Sequence, residues 1–181
     1  MLVDSLPTKS LLVEAIQGNL SDCPRPSGLD FVRLQWDELY KRLGRYSSVA
    51  GRDVLLKFSK PPSPGLCDGD LLWIEEGYAL AVEIIPCEVL ILRASAPMHI
   101  AKLCYDIGNT HSPLFVTPTF DFLLPYQGGL LKILQRWGLD PSRGIEKLHP
   151  QHRLRPSIPL VEEPKLSISN TMQVVLKKRS C

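Results

Sequence analysis

Residues 87–116 read CEVLILRASAPMHIAKLCYDIGNTHSPLFV, and this stretch decides the fold of the second half of the 181-residue chain. An apolar run typical of a strand ends at Leu92 and is followed by a segment with helical periodicity. Ser95 is predicted to be the N-cap of that helix, with Pro97 in the first turn, where a proline removes no hydrogen bond. A strand and a helix therefore follow one another within one compact unit.

One face of the predicted helix is apolar. Its apolar side chains recur at spacings of three and four residues and are expected to be buried: Ile100, Leu103, Cys104 and Ile107. Gly108 and Asn109 are predicted to end the helix, because both tolerate the left-handed conformation that closes a helix. His111 then lies just past the helix C-terminus, ahead of a strand predicted at 113–117.

The order of elements in residues 87–148 is predicted to be strand, helix, strand, strand, helix, strand. The second helix is expected near 127–137 and the last strand near 143–148. This is the order of a ferredoxin-like fold. We therefore predict an α+β protein in which residues 87–148 form a ferredoxin-like domain.

Residues 28–86 are predicted to form a β-rich N-terminal domain. Turn-forming residues separate short strand-like runs at 31–34, 53–58, 71–74 and 79–85. Glu76 and Gly77 are expected in a hairpin turn, because glycine adopts positive φ without steric cost. Asp68 and Asp70 are interpreted as turn residues and not as a carboxylate site, because a turn between strands needs Asp and Gly for backbone reasons.

The two ends of the chain are predicted to lie outside these domains. Residues 1–27 are interpreted as an N-terminal extension and linker, with a short amphipathic helix at 9–16. Residues 149–181 are rich in Pro and Ser and are predicted to form a flexible tail, mobile unless a partner or a metal orders it. Cys181 ends this tail, and its expected exposure assigns it no function.

Composition restricts the class of protein. With 44% hydrophobic and 22% charged residues, the chain has the composition of an ordinary soluble protein with one or two small cores. A net charge of +2 provides no broad basic field for nucleic acid. Charged residues near the N-terminus interrupt any signal-peptide core, and no apolar span of about twenty residues occurs. We therefore expect a cytoplasmic protein without a membrane partner.

Cysteines and catalytic motifs exclude further classes. The five cysteines are odd in number and contain no C-x-x-C pair, which argues against a disulfide framework and a structural zinc site. No G-x-S-x-G, H-E-x-x-H or glycine-rich phosphate loop occurs, so we expect a protein that is not an enzyme. A cysteine hydrolase would need Cys104 and His111 to leave the core face, which the helical period opposes.

Several segments resemble the urease accessory nickel metallochaperones of the UreE type. In the second half they are RAS at 93–95, CYDIGNTHSPLF at 104–115 and LLKILQRWGL at 130–139. In the first half they are LQWDELYKRLGR at 34–45, GRDVLLKF at 51–58 and LCDGDLLWIEEGYALAVEIIP at 66–86. The resemblance covers about residues 28–152. It implies a barrel-like N-terminal domain, a metal-binding C-terminal domain, and a nickel carrier that acts during urease maturation.

The resemblance also implies a homodimer in which His111 lies at the twofold contact and binds nickel with its symmetry mate. An isologous interface brings the same residue of both chains together, so one histidine per chain gives two imidazole ligands. Imidazole suits Ni²⁺, and also Zn²⁺ or Cu²⁺ in the same site. The implied partners are the urease accessory GTPase and, through it, the apo-urease complex. The simpler alternative makes His111 a strand-entry residue hydrogen-bonded to backbone.

His149 and His152, in LHPQHRL, are the remaining candidate metal ligands. Family members often carry a histidine-rich C-terminus, and the resemblance implies that these two histidines supply labile extra ligands from flexible backbone. Alternatively they are ordinary polar residues of a tail. The segment LLPYQGG at 123–129 lacks the histidines that some members place there, so peripheral sites are not expected near Tyr126. His99 is interpreted as a solvated residue on the exposed helix face.

An alternative function is a ferredoxin-like protein or nucleic-acid interaction module that carries no metal. The strands at 87–94 and 113–117 lack the aromatic and basic pattern that stacks bases. Nickel titration and salt-dependent retention of RNA would give opposite results for the two functions.

Overall fold

The structure is a computed structural model and describes residues 10–22 and 28–155. These residues form a β-rich α+β fold. The first half contributes strands β1 (Leu11–Val13), β2 (Gly18–Asn19), β3 (Leu29–Leu34), β4 (Leu43–Ser47), β5 (Asp53–Lys57), β6 (Asp70–Glu75) and β7 (Tyr78–Ile84). The second half contributes β8 (Cys87–Arg93), α1 (Pro97–Asn109), β9 (Leu114–Val116), β10 (Asp121–Pro125), α2 (Gly128–Arg136), β11 (Ser142–Glu146), a 3-10 helix (Pro150–His152) and β12 (Arg153–Leu154).

The strands of the first half form two sheets that contribute to one apolar core. A three-stranded sheet has the order β1-β5-β4, and a four-stranded sheet has the order β2-β6-β7-β3. On β5, Val54 and Leu56 are buried in the core, while Leu55 between them is exposed. This alternation is that of a strand with one face on the core and one face in solvent.

Turn signals in the first half are confirmed. β6 and β7 pair as an antiparallel hairpin, and Gly77 at its turn has a φ of 75°. The carboxylates of Asp68 and Asp70 accept hydrogen bonds from the backbone N–H groups of Ile84 and Cys67, each at 2.7 Å. The two carboxylates therefore hold the loop before β6 in place, as the turn interpretation predicts.

Residues 10–22 do not form the helix predicted at 9–16. Leu11–Val13 is strand β1, which pairs in parallel with β5 and places Val13 opposite Leu56 in the core. β2 pairs with β6. Pairing with strands distant in sequence overrides the local helical spacing. This part of the predicted extension belongs to the sheets, whereas residues 1–9 and 23–27 lie outside the described residues.

The second half forms one antiparallel sheet with the order β11-β8-β10-β9-β12. Its elements follow one another in the predicted order from β8 to β11. On β8, Leu90 and Leu92 pack in the cluster that includes both helices, while Val89 lies in a second cluster with Phe115. Trp36, from the first half of the chain, packs edge-on against Phe115 with 6.1 Å between ring centroids. The sheet thus has helices on one face and residues of the first half on the other.

Helix α1 begins one residue later than its predicted cap implies. Its N-cap is Ala96, which makes no side-chain capping bond, so the prediction of Ser95 as N-cap is wrong. Pro97 occupies the first turn and has no N–H that needs a cap. The predicted apolar stripe is confirmed, with Leu103 and Ile107 buried. Neither helix in the described ranges has the length and apolar stretch needed to cross a membrane.

Residues 149–155 are packed against the rest of the chain, so the start of the predicted flexible tail at position 149 is wrong. Pro150 is buried, and β12 adds to the edge of the sheet beside β9. Without β12, β9 would be an edge strand with unpaired backbone groups, which explains why these residues are ordered. The rest of the predicted tail, residues 156–181 with Cys181, lies outside the described residues.

Candidate metal centre

His111 is exposed and lies just after α1 in a left-handed backbone conformation, with a φ of 55°. Few residues other than glycine adopt this conformation, although histidine is among the more tolerant. The N–H of His111 donates to the carbonyl of Gly108 at 3.0 Å. The prediction that Gly108 and Asn109 take the left-handed conformation is wrong, because both remain helical and the chain turns at His111 instead.

Thr110 ties together the backbone on both sides of His111. Its hydroxyl donates to the carbonyl of Ile107 at 2.7 Å and lies 2.8 Å from the hydroxyl of Ser112. The N–H of Ser112 donates back to the Thr110 oxygen at 3.3 Å. These bonds join the last turn of α1 to the approach to β9. They fix the backbone that presents the imidazole of His111.

His111 lines a groove with a volume of about 520 Å³. One wall is the end of α1, which contributes Cys104, and the other is formed by residues 153–155. His149 and His152 do not line this groove. The structure therefore does not bring the three predicted metal ligands of one chain into a single cavity.

A strip of exposed side chains follows α1 toward His111. Met98 and Tyr105 are 76% and 71% exposed, although both are large apolar residues. Because they are seven residues apart, they lie on the same face of the helix. That face differs from the buried stripe, so α1 carries apolar side chains on two sides.

His149 and His152 lie together at the 3-10 helix. Their ring centroids are 5.7 Å apart, with 68° between the ring planes. Both are half-buried. Burial lowers the pKa of His149, since loss of water disfavours the charged imidazolium, and the nearby Asp68 carboxylate opposes this effect only in part. The structure thus brings together the two histidines that the sequence assigned to flexible backbone.

The segment that carries these histidines is anchored on the first half of the chain. Lys147 forms an ion pair of 2.8 Å with Asp68. Pro150 packs so closely on Gly65 that a Cβ at Gly65 would lie 2.7 Å from the Cβ of Pro150. The guanidinium of Arg153 lies 4.8 Å from the centre of the Tyr40 ring, where a cation is attracted to the π-face.

The described residues of one chain do not complete a metal site of three or more side chains. Across residues 10–22 and 28–155, no group of three or more His, Cys, Asp or Glu residues is arranged to hold a metal ion. The described residues therefore offer a single imidazole at His111 and a pair at His149 and His152. Either arrangement needs further ligands from outside these residues.

Two residues have the structural roles that the sequence predicts. Cys104 is half-buried against the core under α1, and burial raises the pKa of its thiol, which disfavours the reactive thiolate. His99 is exposed on α1, and its neighbour Lys102 is paired with Asp106 at 2.9 Å.

Known proteins resemble the chain over nearly its whole length. Residues 13–85 match the family described as UreE urease accessory protein, N-terminal domain. Urease accessory protein UreE of Helicobacter pylori (strain G27) is 33% identical over 170 residues, which cover 92% of this chain and 100% of that protein. The chain belongs to the UreE family of urease accessory proteins. The proteins of the same name from Helicobacter acinonychis (strain Sheeba) and Helicobacter bizzozeronii are 32% and 31% identical, over 92% and 93% of this chain and 100% of each relative.

Two features of this UreE-family chain are not among those predicted from the sequence. The first is Thr110, whose hydroxyl network depends on backbone geometry that the segment GNTHS does not reveal. The second is the exposed pair Met98 and Tyr105, for which a signal exists. Both residues are apolar yet lie off the stripe assigned to the core, and a second apolar face on a helix indicates a second contact surface.

Proposed function

We propose that this UreE-family protein is a homodimeric nickel metallochaperone that delivers Ni²⁺ for assembly of the urease active site and catalyses no covalent step. The observation that carries the proposal is the placement of His111. Its imidazole is exposed and its backbone is fixed at the end of a helix that has an exposed apolar face. A ligand for a shared metal needs this combination of access and rigidity.

The exposed face of α1 supports the dimer. Met98 and Tyr105 would be covered by the same residues of a second chain in an isologous contact. Such a contact would bring the two His111 side chains together at the twofold axis, where they share one ion. Two imidazoles leave coordination positions for water, so the ion is held without being enclosed and can be released. We do not assign His149 and His152 to this ion, because neither lines the groove of His111.

Family membership supports the partners. The relatives are named as urease accessory proteins, and the proposed recipients of the metal are the urease accessory GTPase and, through it, the apo-urease complex. We place this transfer in the cytoplasm. The second half of the chain serves in this proposal as a ferredoxin-like metal-binding domain, and the same imidazole pair also accepts Zn²⁺ or Cu²⁺.

Equilibrium dialysis against Ni²⁺ tests the proposal with the variant His111→Ala. The wild-type protein should bind one tightly held ion per two chains, and the variant should lose that ion completely, because symmetry removes both imidazoles at once. His99→Ala is the matched control, since His99 is exposed on the same helix and should leave binding unchanged. Retention of the tight ion in His111→Ala would contradict the proposed site.

A further inference from the structure

We propose that the first half of the chain controls how fast the ion of His111 is exchanged, through contacts between Tyr40 and β12. β12 forms one wall of the His111 groove. This wall is closed while Arg153 and Arg155 contact Tyr40, and it opens when they leave. The control of the ion rests on the function proposed above for His111, whereas the contacts themselves do not depend on it.

The position of β12 allows it to control the groove. Arg153, Leu154 and Arg155 all line the groove of about 520 Å³ beside His111. β12 pairs with β9 through only two residues and lies at the edge of the sheet. Short strands at a sheet edge have few hydrogen bonds to break, so they open locally at a low free energy. β12 is therefore the wall of the groove that can move.

Tyr40 contacts the guanidinium groups of both arginines of β12. The Cζ atoms of Arg153 and Arg155 lie 4.8 and 4.9 Å from the centre of the Tyr40 ring. Both distances are within the range of about 6 Å over which a cation is attracted to an aromatic face. Arg155 also donates a hydrogen bond to the carbonyl of Pro64. The side chains of β12 are thus held by the first half of the chain, while its backbone is held by β9.

The Tyr40 ring is fixed within the first half. It packs on Gly65 so closely that a Cβ there would lie 2.8 Å from Cε1 of the ring. The N–H of Leu66 donates to the carbonyl of Leu39 at 2.9 Å, which ties the backbone on both sides of this contact together. Both leucines are buried in the core of the first half. The ring therefore cannot follow β12 when β12 leaves β9.

The contacts of residues 147–155 with the first half change in character along the segment. Four of them fall on one loop, residues 64–68, and they join Lys147 to Asp68, Pro150 to Gly65, Gln151 to Cys67 and Arg155 to Pro64. Leu148 and Pro150 are buried, whereas Leu154 and Arg155 are exposed. The start of the segment is therefore held by packing and its end by exposed polar contacts. β12 can leave the sheet while Pro150 stays in place.

Limited proteolysis of the metal-free, full-length protein measures the contact with Tyr40 directly. Trypsin cuts after Arg153 when β12 leaves the sheet, and it does not cut after Arg155 because Pro156 follows. Tyr40→Leu and Arg155→Gln should each speed this cut roughly two- to fivefold, the effect of losing one exposed cation–π contact. Tyr40→Phe keeps the aromatic face and should be cut at the wild-type rate.

Arg52→Gln is the matched control for both arginine contacts. The guanidinium of Arg52 lies 3.7 Å from the centre of the Tyr78 ring, so this variant also removes a cation–π contact, but one within the first half. It should leave the cut after Arg153 unchanged. Arg155→Gln alters an exposed side chain, so it tests the proposal even where Tyr40→Leu fails to fold.

Transfer of bound Ni²⁺ to the coloured chelator pyridylazoresorcinol measures the effect on the ion. Tyr40→Leu and Arg155→Gln should release nickel roughly two- to fivefold faster than the wild type, with unchanged stoichiometry. Tyr40→Phe and Arg52→Gln should release it at the wild-type rate. A loss of stability alone would not be reversed by the aromatic variant and spare the matched control in this way.

The two measurements separate the ways in which the proposal can fail. Equal tryptic rates in Arg155→Gln and the wild type would overturn the contact, and faster cutting with unchanged nickel release would overturn its control of the groove. Failure of the function proposed for His111 gives a different pattern, in which His111→Ala binds nickel as the wild type does while the tryptic rates still differ. That result would reject control of the ion and leave only the contact between Tyr40 and β12.

Discussion

The conformation of His111 places a small strain at the residue proposed to bind the metal. A left-handed backbone at a residue other than glycine costs on the order of 1 kcal/mol, and His111 has a φ of 55°. The bonds around Thr110 offset this cost and keep the turn closed. The residue before the proposed ligand therefore determines how the ligand is presented.

Thr110→Val should weaken nickel binding without removing it. The variant keeps the shape of the side chain but loses the hydroxyl that bonds Ile107 and Ser112, so the imidazole of His111 samples more orientations. We expect affinity to fall roughly tenfold, the usual effect of losing a partner that orients a metal ligand. Thr110→Ser should restore it. Nickel titration of both variants checks this, and equal loss of affinity in both would deny the hydroxyl a positioning role.

His111 also illustrates how much of the site the sequence reveals. Its place after a helix and before a strand follows from the local pattern, and its candidacy follows from the family resemblance of GNTH. Its backbone conformation does not, because Gly108 and Asn109 are the better left-handed residues by local preference. The helix continues through both, and the chain turns at His111, two residues after Asn109. The hydrogen bonds of Thr110 with Ile107 and Ser112, together with that of His111 to Gly108, hold the turn at this later position.

At the scale of elements, α1 is proposed to bury its second apolar face in a dimer. Tyr105→Asp should shift the protein to monomers, because an isologous contact places two such carboxylates against each other in an apolar surface. Sedimentation equilibrium measures the shift. Ile145→Asp is the control. Ile145 is 72% exposed on β11, an edge strand of the sheet, and does not belong to α1. A dimer that persists in Tyr105→Asp, or dissociates equally in both variants, would remove α1 from the interface.

Asp30 on β3 accepts a hydrogen bond from Ala50 in the loop after β4. This residue should make the free energy of unfolding depend on pH. Burial alone would raise the pKa of Asp30, but hydrogen bonds from Ser48, Ala50, Phe31 and Tyr78 together hold it below the ordinary value of 3.8. Because the folded-state pKa is the lower one, this stabilisation is present above the ordinary value and is lost as pH falls through the folded-state pKa.

Asp30→Asn should therefore lower the free energy of unfolding by roughly 1 to 3 kcal/mol at neutral pH, and the difference from wild type should shrink in acid. Urea unfolding of the wild type and the variant, at neutral pH and in acid, provides the measurement. Asp53→Asn, which alters an exposed ion pair with Arg45, should change stability little. A penalty for Asp30→Asn that is the same at both pH values would show that the charge is not responsible.

Strands differ in how well the sequence predicts them. β6 and β7 follow from local alternation and from the turn at Gly77, since each signal lies within the segment that it describes. β1 and β12 do not, because Leu11–Val13 and Arg153–Leu154 are short and gain their structure from pairing with β5 and β9. A local pattern contains no information about such distant partners.

At the scale of the whole molecule, residues 149–155 join the two halves of the chain. Truncation after Leu148 should lower the free energy of unfolding by roughly 1 to 3 kcal/mol, because it removes buried Pro150, the strand β12 and the contact of Arg153 with Tyr40. Truncation after Arg155 is the matched control, since it keeps every one of these contacts. Thermal unfolding of the two forms compares them, and equal melting temperatures would mean that the segment adds no stability.

The core of the first half has a consequence for synthesis of the protein. Every buried member of that core lies between Val13 and Ile84, so the ribosome has made all of it before β8 appears. Domains near the N-terminus generally fold first during translation. The first half can therefore form its core early. At that stage the indole of Trp36 lacks its packing partner, because Phe115 has not yet been synthesised. The nascent second half then folds against the packed surface of the first half. β12, the last strand described, joins the sheet only after all the earlier strands have been synthesised.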